Sequence, residues 1–118
     1  MNITRYVFLS VFSFFLQSCS KGQDNLNHDN GIHYFQGFHS GKEKGLPFSP
    51  DLPISEEDAL KRQSYMKCIF EERKLVLMEK YLNGKVFFTQ KIKYKKSGDL
   101  ELVQYFNENN VLEMERKY

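Results

Sequence analysis

Few side chains in this sequence are able to do covalent chemistry: two cysteines, Cys19 and Cys68, and three histidines, His28, His33 and His39. A cysteine nucleophile needs a base beside it, because the thiolate and not the thiol attacks. All three histidines precede Cys68 by many residues, so only the fold can bring His33 or His39 to it. The histidine spacings, five and six residues, match no metal-ligand motif, and solvated or packing imidazoles are the simpler reading. Cys68 alternates with Met66 and Phe70 in a strand-like run, where a buried thiol is the ordinary role. Glycine-rich phosphate loops and RNA-binding aromatic signatures are missing. The residues thus argue against an enzyme and against a nucleic-acid binder, and they imply no cofactor and no metal.

A second constellation is cationic. Residues 80–98 hold Lys80, Lys85, Lys91, Lys93, Lys95 and Lys96 without one acid. We take Lys85, Phe87, Lys91, Lys93 and Tyr105 as the candidate binding face, with lysines to attract an acidic partner or anionic lipid headgroups and aromatic rings to anchor it. The plainer alternative is a solvated face whose lysines pair with Glu101 and Glu113 across neighbouring strands.

Cys19 has a context of its own. Residues 1–5 carry one positive charge and no acid, and residues 6–16 are an eleven-residue run made almost wholly of Val, Phe, Leu, Ser and Tyr. A bilayer span needs about 20 apolar residues, whereas a basic start followed by an apolar run of about 7–15 describes a secretory signal. Leu16, Gln17, Ser18 and Cys19 close the run. They resemble the lipobox of bacterial lipoproteins, with an aliphatic residue three before the cysteine and a small one just before it. Gln17 departs from the usual small or aliphatic residue. The resemblance implies a signal peptide over residues 1–18, a diacylglycerol on the Cys19 thiol, and an acylated new amino terminus. Ser20 in place of Asp favours, in enterobacterial-type sorting, the outer membrane over the inner one. Each buried CH₂ contributes roughly 0.8 kcal/mol, so one chain binds marginally and two or more hold. An ordinary signal peptide with an incidental cysteine is the alternative.

The elements that must position the remaining residues fit one domain, since 118 residues and 14.0 kDa leave no room for two. Removing 18 residues leaves 100, with 16 basic and 15 acidic side chains, so bulk charge selects no polyanion. Residues 19–31 read as the lipidated cysteine and a flexible tether, and residues 32–118 as the folded part. As a coil the tether spans on the order of 20 Å. Residues 32–38 predict an edge strand. Three prolines within residues 41–53 predict a loop, and Ser55 caps a short helix reaching about residue 64.

From Tyr65 onward the chain reads as hairpins. Phe70, Leu82, Tyr94, Phe106 and Tyr118 recur every 12 residues, and a turn cluster follows each of the first four. Asn83 with Gly84 is a strong type I′ signal, and Gly98 and Asn110 suit left-handed loop positions. With three-residue loops at residues 72–74, 96–98 and 108–110, Tyr65 faces Tyr81, Lys67 faces Glu79, Ile69 faces Leu77, Ile92 faces Leu102, Phe88 faces Phe106, and Phe106 faces Leu112. This predicts a mainly β fold, a small antiparallel meander of about five strands with one short N-terminal helix. Ile69, Leu77, Tyr81, Phe88, Ile92, Leu102 and Phe106 would form the apolar face. Met66, Cys68, Phe70, Met78, Val103 and Tyr105 would share the other with lysines, covered by the lead-in or bound to a partner.

Tyr81, Leu82, Asn83, Gly84 and Lys85, and then Tyr105, Phe106, Asn107, Glu108 and Asn109, resemble the variant MORN repeats of bacterial antitoxin-like proteins over residues 65–118. The second unit lacks the glycine. Residues 34–118 are also similar to an uncharacterised bacterial domain family, which implies no activity. The combined expectation is a membrane-anchored periplasmic lipoprotein that acts as a non-enzymatic protein-binding module. Its partners would be membrane lipid through acylated Cys19 and another protein. The specific form is an immunity protein that neutralises a toxic effector; the alternative is an accessory envelope lipoprotein supporting an outer-membrane assembly or ligand uptake.

Overall fold

The computed structural model describes residues 28–40 and 46–118. The signal sequence, Cys19 and most of the tether lie outside the described residues. The fold is mainly β: one sheet of seven antiparallel strands in the order β2, β1, β3, β4, β5, β6, β7, with one short helix. The strands are β1 (Gly31–Ser40), β2 (Phe48–Ile54), β3 (Ser64–Glu71), β4 (Lys74–Leu82), β5 (Lys85–Tyr94), β6 (Leu100–Phe106) and β7 (Leu112–Lys117); α1 (Glu56–Leu60) joins β2 to β3. No helix among the described residues is long and apolar enough to cross a membrane.

The five-strand meander is present as β3 to β7, and the lead-in supplies two strands more. The stretch expected to be a loop contains β2, in which Pro50 lies opposite Phe38 and Pro53 opposite Phe35. Prolines are tolerated there because β2 is an edge strand, where half of the N–H groups have no partner to meet. Leu52, at φ 63°, interrupts its regular twist. Helix α1 starts as expected, with the Ser55 hydroxyl accepting from the Asp58 N–H at 3.1 Å and three acids in the first turn. It stops at Leu60 rather than near residue 64, because Ser64 already pairs with Leu82 in β3.

The folded part also begins earlier than expected. His28 packs against Phe35 and Phe70, and Asn30 Oδ1 accepts from the Arg73 N–H at 2.8 Å. The Arg73 guanidinium donates to Asp29 Oδ1 at 2.6 Å. These contacts hold a two-residue turn in which Glu72 and Arg73 both take positive φ, 52° and 64°. Such backbone costs a residue with a side chain roughly 1–2 kcal/mol, and the Asn30 bond offsets part of it. The three-residue loop expected at 72–74 is therefore a two-residue one, closed by Glu71 opposite Lys74. Asn83 and Gly84 form the expected hairpin turn with φ of 53° and 80°.

Every hairpin of the meander carries one β-bulge, and the bulges decide which side chains are inside. Pairing shifts between Ile69 and Phe70, Lys80 and Tyr81, Lys93 and Tyr94, and Tyr105 and Phe106. The extra residues are Val76, Phe87, Glu101 and Glu113. Tyr65 opposite Tyr81, Lys67 opposite Glu79, Ile69 opposite Leu77 and Phe106 opposite Leu112 are as expected. Beyond the Glu101 bulge, however, Ile92 faces Val103 instead of Leu102, and Phe106 faces Thr89 instead of Phe88. A one-residue shift exchanges the two faces of a strand pair.

The inner face accordingly carries the row His33, Cys68, Met78, Gln90, Tyr105, Met114 and the row Phe35, Met66, Lys80, Phe88. Past Phe35, β1 leaves β3, and its hairpin with β2 crosses this face. Phe38 and Phe48 pack on Phe88, with ring centroids 5.2 and 5.7 Å away, and Phe48 also meets Tyr105 at 5.6 Å. The core is Phe35, Leu46, Met66, Cys68, Phe70, Leu75, Met78, Phe88, Ile92 and Val103. The half-polar face of the sequence reading is thus the buried one.

Candidate functional site

The residues singled out for binding are dispersed over three places. Tyr105 is an inner-face residue, half-buried against Phe48 and Phe88 and away from the lysines. Lys91 and Lys93 project from the outer face of β5. Lys91 stands in the row Ile69, Leu77, Lys91, Gln104, Glu115, and Lys93 in the row Lys93, Leu102, Lys117. The Lys91 ammonium lies 4.8 Å from the centre of the Phe106 ring. Lys85 and Phe87 sit at one end of the sheet, beside the Asn83-Gly84 turn.

That end is opposite the one where residues 28–31 lead into β1, and we term it the far end. The β4 to β5 turn and the β6 to β7 turn meet there. They border an open cleft of about 770 Å³ lined by Leu82, Asn83, Lys85, Val86, Phe87, Glu108 and Asn109. Phe87 is 45% exposed and Leu82 37%. Phe87 is exposed because it is the bulged residue of its hairpin: the extra position removes it from ladder pairing and turns its ring away from the core. Val111 and Leu112, in the neighbouring hairpin, are likewise exposed. Rigid strands and a tight turn hold this apolar surface in one shape.

Neither of the expected lysine partners forms an ion pair among the described residues. Glu101 and Glu113 are bulged residues, and Glu113 accepts from Asn107 Nδ2 at 2.7 Å. Among the described residues the ion pairs are His39 with Asp51, Lys61 with Glu57, Arg73 with Asp29 and Lys117 with Glu115. None of Lys85, Lys91, Lys93, Lys95 or Lys96 belongs to one.

For covalent chemistry the decisive pair is His33 and Cys68. The register sets them directly opposite each other on the inner face. The thiol is fully buried, and burial, reinforced by Glu79, pushes its pKa up, so the nucleophilic thiolate is disfavoured. The His33 ring donates through Nε2 to the backbone carbonyl of Asp29 at 2.7 Å and packs on His28 and Phe70. Beside it a cleft of about 310 Å³ reaches Ile32, Tyr34, Pro53 and Glu56. Among the described residues no group of three His, Cys, Asp or Glu is placed to hold a metal ion.

Sequence reasoning missed Gln90. Its side chain is wholly buried and clamps β2 across the core: Nε2 donates to the Phe48 carbonyl at 3.0 Å, and Oε1 accepts from the Phe48 N–H at 3.3 Å. A polar residue at alternate positions with Phe88 and Ile92 was the available signal. Comparison with family models, curated proteins and solved structures finds no match.

Proposed function

We propose that this protein is a membrane-anchored lipoprotein of the bacterial periplasm that works by binding another protein, with the far end of the sheet as its docking surface. The observation that carries this reading is the cleft at Phe87, where a bulge holds an aromatic ring exposed beside Leu82 and Lys85. Aromatic side chains held rigidly with a polar rim are the usual anchors of protein interfaces. The lipobox resemblance at Cys19 supplies the anchor. Residues 28–31 join the sheet at the end opposite the cleft, which turns the cleft away from the anchored side. The specific form is immunity: occupation of a toxic effector arriving in the periplasm.

A photo-crosslinking residue in place of Phe87, in cells that make the full chain, is expected to yield one protein adduct. The same residue at Thr89, on the outer face, is expected to yield none. Equal adducts at both positions, or none at Phe87, would overturn the far-end assignment. A deletion strain that gains no sensitivity to toxin-secreting neighbours would overturn the immunity form.

A further inference from the structure

Among the described residues, four of the lysines that make no ion pair lie in one stripe. Lys91 and Lys93 stand on the outer face of β5, and Lys95 and Lys96 continue the strand into its turn. Lys117 of β7, which pairs with Glu115 at 3.9 Å, lies two strands away in the Lys93 row. The stripe runs toward the end of the sheet where residues 28–31 lead into β1, the near end. Of the acids close by, Asp99 accepts from the Ser97 hydroxyl at 3.2 Å, Glu115 accepts from Gln104 at 2.9 Å, Glu101 is a bulged residue, and Glu71 and Glu72 line a cleft with Lys95 and Lys96 without an ion pair to them. The four lysines of β5 and its turn have no ion pair among the described residues.

Chain length limits how far the near end of the sheet can be from Cys19. Residues 20–27 lie between Cys19 and His28, and nine residue steps of extended chain span at most about 30 Å. His28 is pinned to Phe70 at the near end. We infer that the stripe of Lys91, Lys93, Lys95, Lys96 and Lys117 docks on the phosphate groups of anionic lipids and holds the near end of the sheet against the membrane. This rests on the anchored-lipoprotein reading and adds an orientation to it. Lysines near an anionic surface each contribute about 1 kcal/mol, on the order of fivefold in binding, so a handful suffices to orient a domain that a lipid already holds nearby. Docking at the near end leaves the Phe87 cleft facing away from the bilayer.

The test uses the full chain made and processed in a bacterial host, transferred from detergent to vesicles of phosphatidylglycerol and phosphatidylethanolamine, or to neutral phosphatidylcholine vesicles. Flotation reports binding, and acetylation of each lysine reports contact. On anionic vesicles the acetylation of Lys95 and Lys96 is expected to slow at least ~threefold relative to neutral vesicles, and high salt to restore it. Lys85, at the far end, is expected to react equally on both. Lys95→Glu with Lys96→Glu is expected to abolish the same protection at Lys91 and Lys93 while circular dichroism stays unchanged. Flotation with both vesicles but equal lysine reactivity keeps the anchor and overturns the docking. Flotation with anionic vesicles alone, with Lys95 and Lys96 protected, supports the docking and overturns the anchor; flotation with neither overturns both.

Discussion

The two faces of this sheet are built from the same strands and both carry large apolar residues, yet only one is a core. On the inner face Met66, Cys68, Phe70, Met78, Phe88, Ile92 and Val103 are buried under the β1 to β2 hairpin. On the outer face Ile69, Leu77, Leu102 and Phe106 are only partly buried, with Lys67, Lys91 and Lys93 between them. Large apolar residues on a face therefore do not by themselves make it a core. The bulges chose which residues face inward, and the crossing hairpin, held by Gln90 on the Phe48 backbone, chose which face is covered.

The contrast is sharpest for truncation. Phe88→Ala removes a ring that Phe38, Phe48 and Tyr105 all touch, and is expected to cost about 3–5 kcal/mol, enough to unfold a marginal domain. Leu77→Ala on the outer face is expected to cost clearly less, since its side chain is already partly in water. Urea denaturation of both variants measures the difference, and similar losses would mean that the outer face is covered after all. Next in size is Gln90→Leu. It strands the Phe48 N–H and carbonyl under the hairpin, at about 1–3 kcal/mol. Amide exchange should then speed up at Phe48 more than at Val103. Uniform acceleration would show that Gln90 contributes packing rather than a clamp.

Local chemistry was readable from the residues, and long-range geometry was not. The Asn83-Gly84 turn, the Ser55 cap, the meander and the pairing of Lys67 with Glu79 follow from side chains close in sequence. The bulges at Glu101 and Glu113 do not, because both candidate registers set apolar residues opposite one another: Ile92 fits Leu102 as well as Val103. The prolines of β2 argued for a loop, and only its place at the sheet edge makes them acceptable. The candidate site was legible in part. Phe87 and Lys85 do share a cleft, whereas Tyr105 was assigned to the lysines through the same unseen shift that reversed the faces.

Alkaline pH separates the faces by a smaller margin. Burial pushes the Tyr94 hydroxyl up from 10.0 to about 12, and it donates to the Leu75 carbonyl at 2.7 Å. A group whose pKa is raised on folding contributes stability that is whole below its unfolded value and is lost as pH rises through the folded one. Stability should thus fall between pH 10 and about 12. Tyr94→Phe is expected to lower stability at neutral pH by about 1 kcal/mol and to flatten that alkaline limb, read as Tm against pH. An unchanged limb would assign it to Tyr34, Tyr81 and Tyr105, whose pKa values are also raised by burial.

The smallest effect belongs to Lys91. Its ammonium over Phe106 contributes about 0.5–1 kcal/mol at an exposed site, and no carboxylate partner is lost with it. Lys91→Ala should therefore lower Tm by only a few degrees, about 2–4 °C for a loss near 0.5 kcal/mol in a domain of this size. A loss of about 2 kcal/mol or more would instead show that Lys91 is packed into the outer face. A small loss, insensitive to pH across the alkaline limb of Tyr94, would mark Lys91 as a solvated side chain that contributes little beyond its contact with the Phe106 ring.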